Sequence, residues 1–189
     1  RSQVLTFEAD VTDQNHQVTS ARGYAVASKS DLYVGARPRW YVTKPKEFLD
    51  IQLVAANPDH QRLANVPLTV EVYEREWKSA RVRDSYGVYY WRSAYSDTLI
   101  ATQIVTTTAN GEVTAIVSAP KGGQYRVVAR GHDAHGIEAV ASTFFWTWGG
   151  DYVNWGIQND DRVNVIADKR TYQPGDTAHL LITAPFADS

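Results

Sequence analysis

The sequence predicts an all-β protein made of tandem β-sandwich domains, one complete and two partial. Three observations predict this class. Apolar residues alternate with polar residues over short runs, which places one face of a strand on a core and the other in water. Turn-forming residues separate these runs at regular intervals. No run of 12 residues shows a capped apolar period of 3.6, so helices are not expected.

The alternating runs define the predicted strands in chain order. The clearest of them begin at Leu5, Ile51, Leu68, Val113 and Tyr125. Threonine, valine and tyrosine within them suit a pleated surface that is buried on one side. The connections are too short for crossover helices, so we expect the strands to pair antiparallel.

Turn signals lie between these strands. Asn110-Gly111 predicts a hairpin of type I′, because that turn needs a positive φ at both central residues. Three further turns are predicted at residues 57–59, 121–123 and 135–136, where asparagine, proline or glycine interrupts the alternation.

Two internal repeats suggest how the chain is organised. Residues 5–13 resemble residues 125–133 at a spacing of 120, and residues 45–55 resemble residues 174–184 at a spacing of 129. In both copies of the first repeat, a strand ends at an aspartate. In both copies of the second repeat, proline and an acidic residue come just before an alternating strand. We therefore expect similar sandwiches repeated about every 120 residues.

The predicted domain plan has four parts. Residues 1–34 form the last hairpin of a preceding domain, residues 35–148 a complete sandwich, residues 149–160 a linker, and residues 161–189 the opening strands of a following domain. A lone hairpin is barely stable in water. We therefore expect the terminal strands to pack on the middle domain, on each other, or on a second copy of the chain that completes their sheet.

Composition excludes several classes of function. The 189 residues include no cysteine, which excludes disulfides, thiolate metal sites and cysteine nucleophiles. A net charge of −2 argues against nucleic-acid binding through bulk electrostatics. No apolar run reaches about 18 residues, so we expect no membrane span and no direct membrane contact. Methionine is also absent, and we expect an excised or processed segment of a longer protein.

The most specific motif lies near the end of the chain. It consists of Lys169, Tyr172, Pro174-Gly175 and Asp176, followed by an apolar strand. In this order the residues resemble the opening of a macroglobulin domain in the alpha-2-macroglobulin family, especially its bacterial members.

Other segments resemble further strands of the same kind of domain, in the same order. They are residues 66–77, 106–113 and 123–136, and the resemblance is weakest over residues 78–98. The resemblance implies an immunoglobulin-like macroglobulin sandwich. It covers most of the chain, although each motif is short.

The resemblance also implies a function for the parent protein. Members of the family trap proteases: a protease cuts an exposed bait segment, the molecule collapses around it, and many members acylate the protease through a thioester in a Cys-Gly-Glu-Gln motif. This chain has no cysteine, so the thioester lies outside it. The resemblance implies that the bait lies outside it too.

The chain would then be a non-catalytic scaffold fragment without a cofactor. Its partners would be neighbouring domains and, through the full-length protein, target proteases, in the bacterial periplasm or cell envelope. A fold does not fix a function. The alternative is a carbohydrate- or protein-binding immunoglobulin-like module of a bacterial surface adhesin.

The insert over residues 77–97 holds the candidate partner contact. Aromatic rings interleaved with arginine can stack on sugars, bases or peptides. The candidate contact residues are Trp77, Tyr89, Tyr90, Trp91 and Arg92. Two alternatives remain open, namely a structural hairpin over residues 88–93 and a protease-sensitive loop.

Other polar clusters favour structural interpretations. The His-Asp-x-His sequence at residues 132–135 could suit zinc but matches a hairpin turn. The acidic residues 159–161 could suit calcium but lack the rest of a binding loop. Glu74, Glu76 and Asp84 could supply acid–base groups, but surface ion pairs explain the two glutamates better. We expect no catalytic, cofactor or metal site.

A second group of aromatic residues begins on the last predicted strand of the middle domain and continues beyond it. Alternation places Phe145 and Thr147 on one face of that strand and three other aromatic residues on the opposite face. We expect one row to fill the core and the remaining aromatic residues to cover a domain junction. The aromatic residues concerned are Phe144, Phe145, Trp146, Trp148, Tyr152 and Trp155.

Overall fold

The computed structural model describes residues 3–149, 153, 155–156 and 163–183, and these residues contain strands and turns but no helix. Accordingly, no helix that could span a membrane is found among them. The strands are β1 (Gln3–Thr12), β2 (Val18–Ala27), β3 (Tyr33–Pro38), β4 (Val42–Thr43), β5 (Phe48–Ala56), β6 (Pro67–Arg83), β7 (Tyr89–Thr106), β8 (Glu112–Ser118), β9 (Gly123–His132), β10 (Glu138–Thr147), β11 (Asn164–Ala167) and β12 (Leu180–Thr183). The predicted all-β fold class is confirmed.

Two sheets form the central sandwich. One has five strands in the order β4-β10-β9-β6-β7, and the other has three strands in the order β3-β5-β8. The pairs are antiparallel except for the short β4–β10 contact, which is parallel. Strands β1 and β2 form a separate hairpin, and β11 pairs with β12.

The core lies between these two sheets and follows the alternation seen in the sequence. Inward rows come from β5, β6, β8 and β9, and they are almost fully buried: Leu49, Ile51, Leu53, Leu68, Val70, Val72, Ala115, Val117, Tyr125, Val127 and Ala129. Each large apolar side chain contributes about 1.5–3 kcal/mol on full burial. Phe145 stacks on Tyr125 with ring centroids 5.2 Å apart, so the core row predicted on β10 is the one that contains Phe145.

The first sequence repeat is matched by equivalent turns. Asp13 accepts bonds from the N–H groups of residues 15 and 17, and Asp133 accepts the corresponding bonds from residues 135 and 137. The residue three places after each aspartate has a positive φ, 62° at His16 and 76° at Gly136. Both tips are therefore the same turn, with a left-handed residue that closes the loop.

The second repeat is matched in the same way. Glu47 accepts a bond from the N–H of Lys44, and Asp176 accepts one from the N–H of Gln173. In both turns the residue before the acid has a positive φ, 66° at Lys46 and 95° at Gly175.

The predicted type I′ hairpin at Asn110-Gly111 is wrong. Only Gly111 has a positive φ, 70°, whereas the type I′ turn needs one at both residues. The turn is closed instead by Thr108, whose N–H donates to the carbonyl of Glu112 at 2.9 Å. It joins β7 to β8, which lie in different sheets, so it carries the chain across the sandwich instead of pairing two neighbouring strands.

The first hairpin is exposed on both faces. All residues of β1 and β2 are exposed, including Phe7 at 59% and Val26 at 68%. The expected packing of these strands on the middle domain is thus not seen among the described residues. Phe7 corresponds in the repeat to Val127, which is fully buried, so the apolar face of β1 matches a core face of the complete sandwich.

Candidate functional site

The insert forms a two-stranded arm that extends β6 and β7 beyond the sheet. Strand β9 pairs with β6 only as far as Arg75, whereas β7 pairs with β6 as far as Arg83. Residues 76–83 and 89–96 therefore form a hairpin ribbon about 24 Å long, at about 3.4 Å per residue. We call these residues, with their connecting turn, the arm. It is longer than the hairpin predicted over residues 88–93.

A tight turn closes the tip of the arm. The Asp84 carboxylate accepts bonds of 2.9 Å from the N–H groups of Tyr86 and Val88. Gly87 has a φ of 87° and donates its N–H to the Asp84 carbonyl at 3.1 Å. These hydrogen bonds fix the backbone of the tip, although the Tyr86 ring is 91% exposed.

Strand alternation divides the five predicted contact residues between two faces of the arm. Trp77, Tyr89 and Trp91 lie on one face, because the register pairs Trp77 with Tyr95, Arg81 with Trp91 and Arg83 with Tyr89. Tyr90 and Arg92 lie on the opposite face, where the register pairs them with Val82 and Ala80. The structure thus places the first three on one face, at different levels, and the other two on the opposite face.

The face with Trp77 makes a hydrogen bond and an aromatic contact at its base and a cation–π contact near its tip. The Trp77 Nε1 donates to the Oε1 of Gln124 on β9 at 2.8 Å, and its ring meets Tyr95 edge-on at 5.3 Å. Near the tip the guanidinium of Arg81 lies 4.9 Å from the ring centroid of Tyr89. Rings and cations on this face contact each other, as cation–π geometry favours.

A half-buried ion pair anchors the arm where it leaves the sheet. The guanidinium of Arg75 donates two bonds of 2.7 Å to Asp97, and it lies between the rings of Tyr95 and Phe144 at 3.7 and 4.9 Å. The hydrogen bond from Arg75 lowers the pKa of Asp97 and outweighs the opposing effect of burial. Arg126 adds a second cation 3.5 Å from the same carboxylate.

The opposite face of the arm is basic. Beyond Glu76 and Ser96 at its base, its side chains are Lys78, Ala80, Val82, Tyr90, Arg92 and Ala94, and we call these six the basic face. They include two cations, and the Glu76 carboxylate precedes them on the same face of β6. All of its residues except the half-buried Val82 are exposed. Lys78 on this face was not a sequence candidate, because only the register of the hairpin places it beside Arg92.

Two junctions connect the sandwich to the segments before and after it. At the first, the Asp133 Oδ2 accepts bonds from the Ser30 hydroxyl at 2.8 Å and the Asp31 N–H at 3.1 Å. Burial acts to raise the pKa of Asp133, but these bonds, with those from the N–H groups of Ile137 and His135, lower it to about 2. The Asp133 carboxylate therefore binds both the entering chain and the backbone of its own turn.

At the second junction the segment that contains β11 meets the stretch between β3 and β4. The Tyr41 N–H donates to the carbonyl of Asp168 at 2.8 Å, and the Tyr41 carbonyl accepts from the N–H of Trp146. The Asp168 carboxylate, which is buried, accepts bonds from the Tyr172 hydroxyl at 2.5 Å and from the His179 N–H at 3.2 Å. The sequence motif around Tyr172 therefore shapes the docking point.

Aromatic residues line the space at this junction. A cavity of about 610 Å³ separates β4 from β12 and is lined by Trp40, Trp148, His179 and Leu180 among others. A second groove of about 370 Å³ lies between the base of the arm and β11, with Trp77, Trp146 and Trp155 in its walls. Tyr152 and the acidic residues 159–161 lie outside the described residues.

The remaining polar candidates take part in local contacts. His135 lies with its Nε2 3.5 Å from the Asp31 carboxylate, beside the Asp133 turn. Lys121 contacts Glu74 at 2.7 Å and Glu76 at 3.5 Å, so these carboxylates share one cation at the base of the arm. No group of three metal-ligating side chains occurs in the part of the chain that the structure describes.

Comparison with known proteins defines the family. A family model described as bacterial macroglobulin domain 6 matches residues 35–149. The chain therefore belongs to the bacterial macroglobulin domain 6 family. The resemblance to bacterial alpha-2-macroglobulins is confirmed, whereas the domain boundaries and the contact residues remain predictions.

Two curated relatives extend this result. An alpha-2-macroglobulin homolog from Nostoc sp. is 25% identical over 188 residues, which is 98% of this chain and 10% of the relative. Alpha-2-macroglobulin from Escherichia coli K12 is 33% identical over 101 residues, which is 51% of this chain and 6% of the relative. The chain thus spans a tenth or less of the length of these relatives.

Solved structures agree in fold. The native conformation of E. coli alpha-2-macroglobulin superposes with a TM-score of 0.59 at 18% identity, covering 97% of this chain and 12% of that one. Salmonella alpha-2-macroglobulin reacted with methylamine gives a TM-score of 0.55, with the same identity and coverage. At this identity the likeness shows the arrangement of strands alone.

Proposed function

We propose that this chain is a non-catalytic scaffold segment of a bacterial alpha-2-macroglobulin-like protease inhibitor. It positions the neighbouring bait and thioester regions and takes no part in chemistry itself. Family membership supports the parent class, and the absence of cysteine is consistent with a thioester elsewhere in the parent. Its partners are the adjoining domains and, through the full-length protein, the trapped protease. We place the parent in the bacterial periplasm or cell envelope.

The observation that carries this proposal is the pair of aspartate-centred junctions. Asp133 binds the chain that enters the sandwich, through Ser30 and Asp31. On the chain that leaves, the backbone carbonyl of Asp168 accepts the N–H of Tyr41 in the sandwich. At Asp133 a charged carboxylate held by several N–H and O–H donors fixes geometry more strongly than apolar contact alone, because hydrogen bonds are directional. Such a segment can hold its neighbours in set orientations and pass a rearrangement from one to the other.

Protease capture by the full-length parent tests the proposal. We expect Asp133→Ala combined with Tyr172→Phe to reduce capture of trypsin severalfold, while the parent stays folded and its thioester, if present, stays reactive with methylamine. Asp13→Ala is the matched control, since Asp13 closes an equivalent turn but makes no bond to Ser30. Unchanged capture in the double variant would contradict the scaffold role.

The isolated 189-residue chain gives a second test. We expect it to leave trypsin fully active at a stoichiometric dose. Stoichiometric inhibition by the isolated chain would show that it inhibits directly, and the scaffold proposal would be wrong.

A further inference from the structure

The basic face of the arm has charge that the described residues do not balance. Lys78 and Arg92 are exposed and form no ion pair with any described residue. The two carboxylates of the arm are already engaged. Glu76 precedes Lys78 on the same face but contacts Lys121, and Asp84 accepts the N–H groups of the tip. The face therefore presents two cations to a partner.

The positions of the side chains give this face three levels along the arm. Lys78 lies opposite Ala94 at the level nearest the sheet, Arg92 lies opposite Ala80 at the next, and Tyr90 lies opposite Val82 at the third. Successive levels on one face of a strand are about 7 Å apart, and diagonal neighbours across the ribbon have a similar separation. The order outward from the sheet is cation, cation, apolar.

An extended polypeptide has the same spacing. Its side chains at i, i+2 and i+4 point to one side, again at steps of about 7 Å. A segment with acidic residues at i and i+2 and an apolar residue at i+4 would place two carboxylates at Lys78 and Arg92 and an apolar side chain against Tyr90 and Val82. The alanines between them leave room for the chain to lie flat.

We propose that the basic face binds an extended acidic segment of another polypeptide, with the pattern acidic-x-acidic-x-apolar. The ligand is matched by two charge contacts and one apolar contact. A phosphate polymer fits less well, because it has no apolar group for the third level. The inference concerns the arm alone and does not depend on the protease-trap proposal.

The probe is the peptide Gly-Glu-Ser-Glu-Ser-Leu-Gly, titrated into the isotope-labelled 189-residue chain and followed by amide NMR shifts. We expect the shifts to concentrate at residues 78–82 and 90–94. The same peptide with glutamine in place of glutamate should bind at least tenfold more weakly. Affinity should also fall as salt is raised, because both charge contacts are exposed.

Variants of this chain test the contact residues directly. Lys78→Glu and Arg92→Glu should each weaken binding about tenfold, and the neutral variants Lys78→Gln and Arg92→Gln by less. Arg170→Glu is the matched control, because Arg170 is also exposed but lies outside the arm, and it should leave binding unchanged. Circular dichroism and unfolding temperature establish that each variant is folded.

Three results would overturn the proposal. The first is binding of the peptide that survives reversal of both charges in a folded double variant. The second is a shift pattern centred away from the arm. The third is tighter binding of inorganic polyphosphate or of phosphatidylglycerol vesicles at the same residues, which would identify a phosphate-bearing ligand instead of a polypeptide.

Discussion

Arg75 and Asp97 face each other across β6 and β7 and are joined by two parallel hydrogen bonds, both 2.7 Å long. The pair lies just beyond a register shift in β6–β7, between Val72 and Tyr73, where the ladder is irregular. It also lies at the last residue of β6 that β9 still supports. The direction in which the arm leaves the sheet therefore depends on this pair.

Loss of the pair should destabilise the sandwich at the base of the arm. The Arg75 side chain is only 9% exposed, so Arg75→Ala would leave Asp97 poorly solvated with Arg126 as its remaining cation. We expect a loss of about 3 kcal/mol in the free energy of unfolding, measured in urea. Arg62→Ala breaks an exposed pair with Glu112 and should cost less than about 1 kcal/mol. Equal costs for the two variants would contradict the role of Arg75.

Acid should release the junction at Asp133. The pKa of this carboxyl is lowered from 3.8 to about 2 in the folded chain, so its contribution to stability is complete above pH 4 and is lost as the pH falls towards 2. Asp133→Asn should lower the unfolding temperature at pH 7 and flatten its decline between pH 4 and 2. An unchanged decline in Asp133→Asn would contradict this role of the carboxylate.

Gly131 should tolerate no side chain. A Cβ there would lie 2.8 Å from Leu68 Cδ2 and 2.9 Å from Leu32 Cδ2, and both leucines are buried. Gly131→Ala should destabilise the chain by about 1–3 kcal/mol in urea unfolding. Gly23→Ala is the matched control on an exposed strand, where a Cβ meets nothing within 4 Å, and it should change stability by less than about 0.5 kcal/mol.

The tip of the arm should resist proteases despite its exposure. A protease needs an extended substrate, and Asp84 holds the tip in a tight turn. We expect chymotrypsin to cut after Tyr86 slowly in the natural chain and at least tenfold faster in Asp84→Ala, as measured by mass spectrometry of the fragments. Ser85→Ala leaves the turn bonds in place and should not accelerate cleavage. Rapid cutting of the natural chain would favour the interpretation as a cleavage loop.

Local alternation was enough to predict the core strands, because each of their faces meets one kind of environment. Ile51 and Leu53 are buried while Gln52 between them is exposed, and the sequence carries that difference directly. The turn repeats were equally visible in the sequence, since Asp13 and Asp133 accept equivalent backbone hydrogen bonds in the two tips.

Features that depend on the partner strand could not be predicted from the sequence. The arm has exposed residues on both faces, so no burial pattern marks where β6 ends, and Lys78 meets Arg92 only through the register. At Asn110-Gly111 the dipeptide signals a turn but not the sheets that it connects. The bond from Ser30 to Asp133 spans 103 residues and leaves no local signal.

The bond between Ser30 and Asp133 gives tension a defined route through the molecule. Asp133 follows β9, which lies in the interior of the five-stranded sheet between β10 and β6. A pull on the entering chain is therefore delivered not only to the edge strand β3 but also to the middle of the larger sheet, and from there to the strand that carries the arm. Force applied at the entering end of the segment would thus also reach the arm.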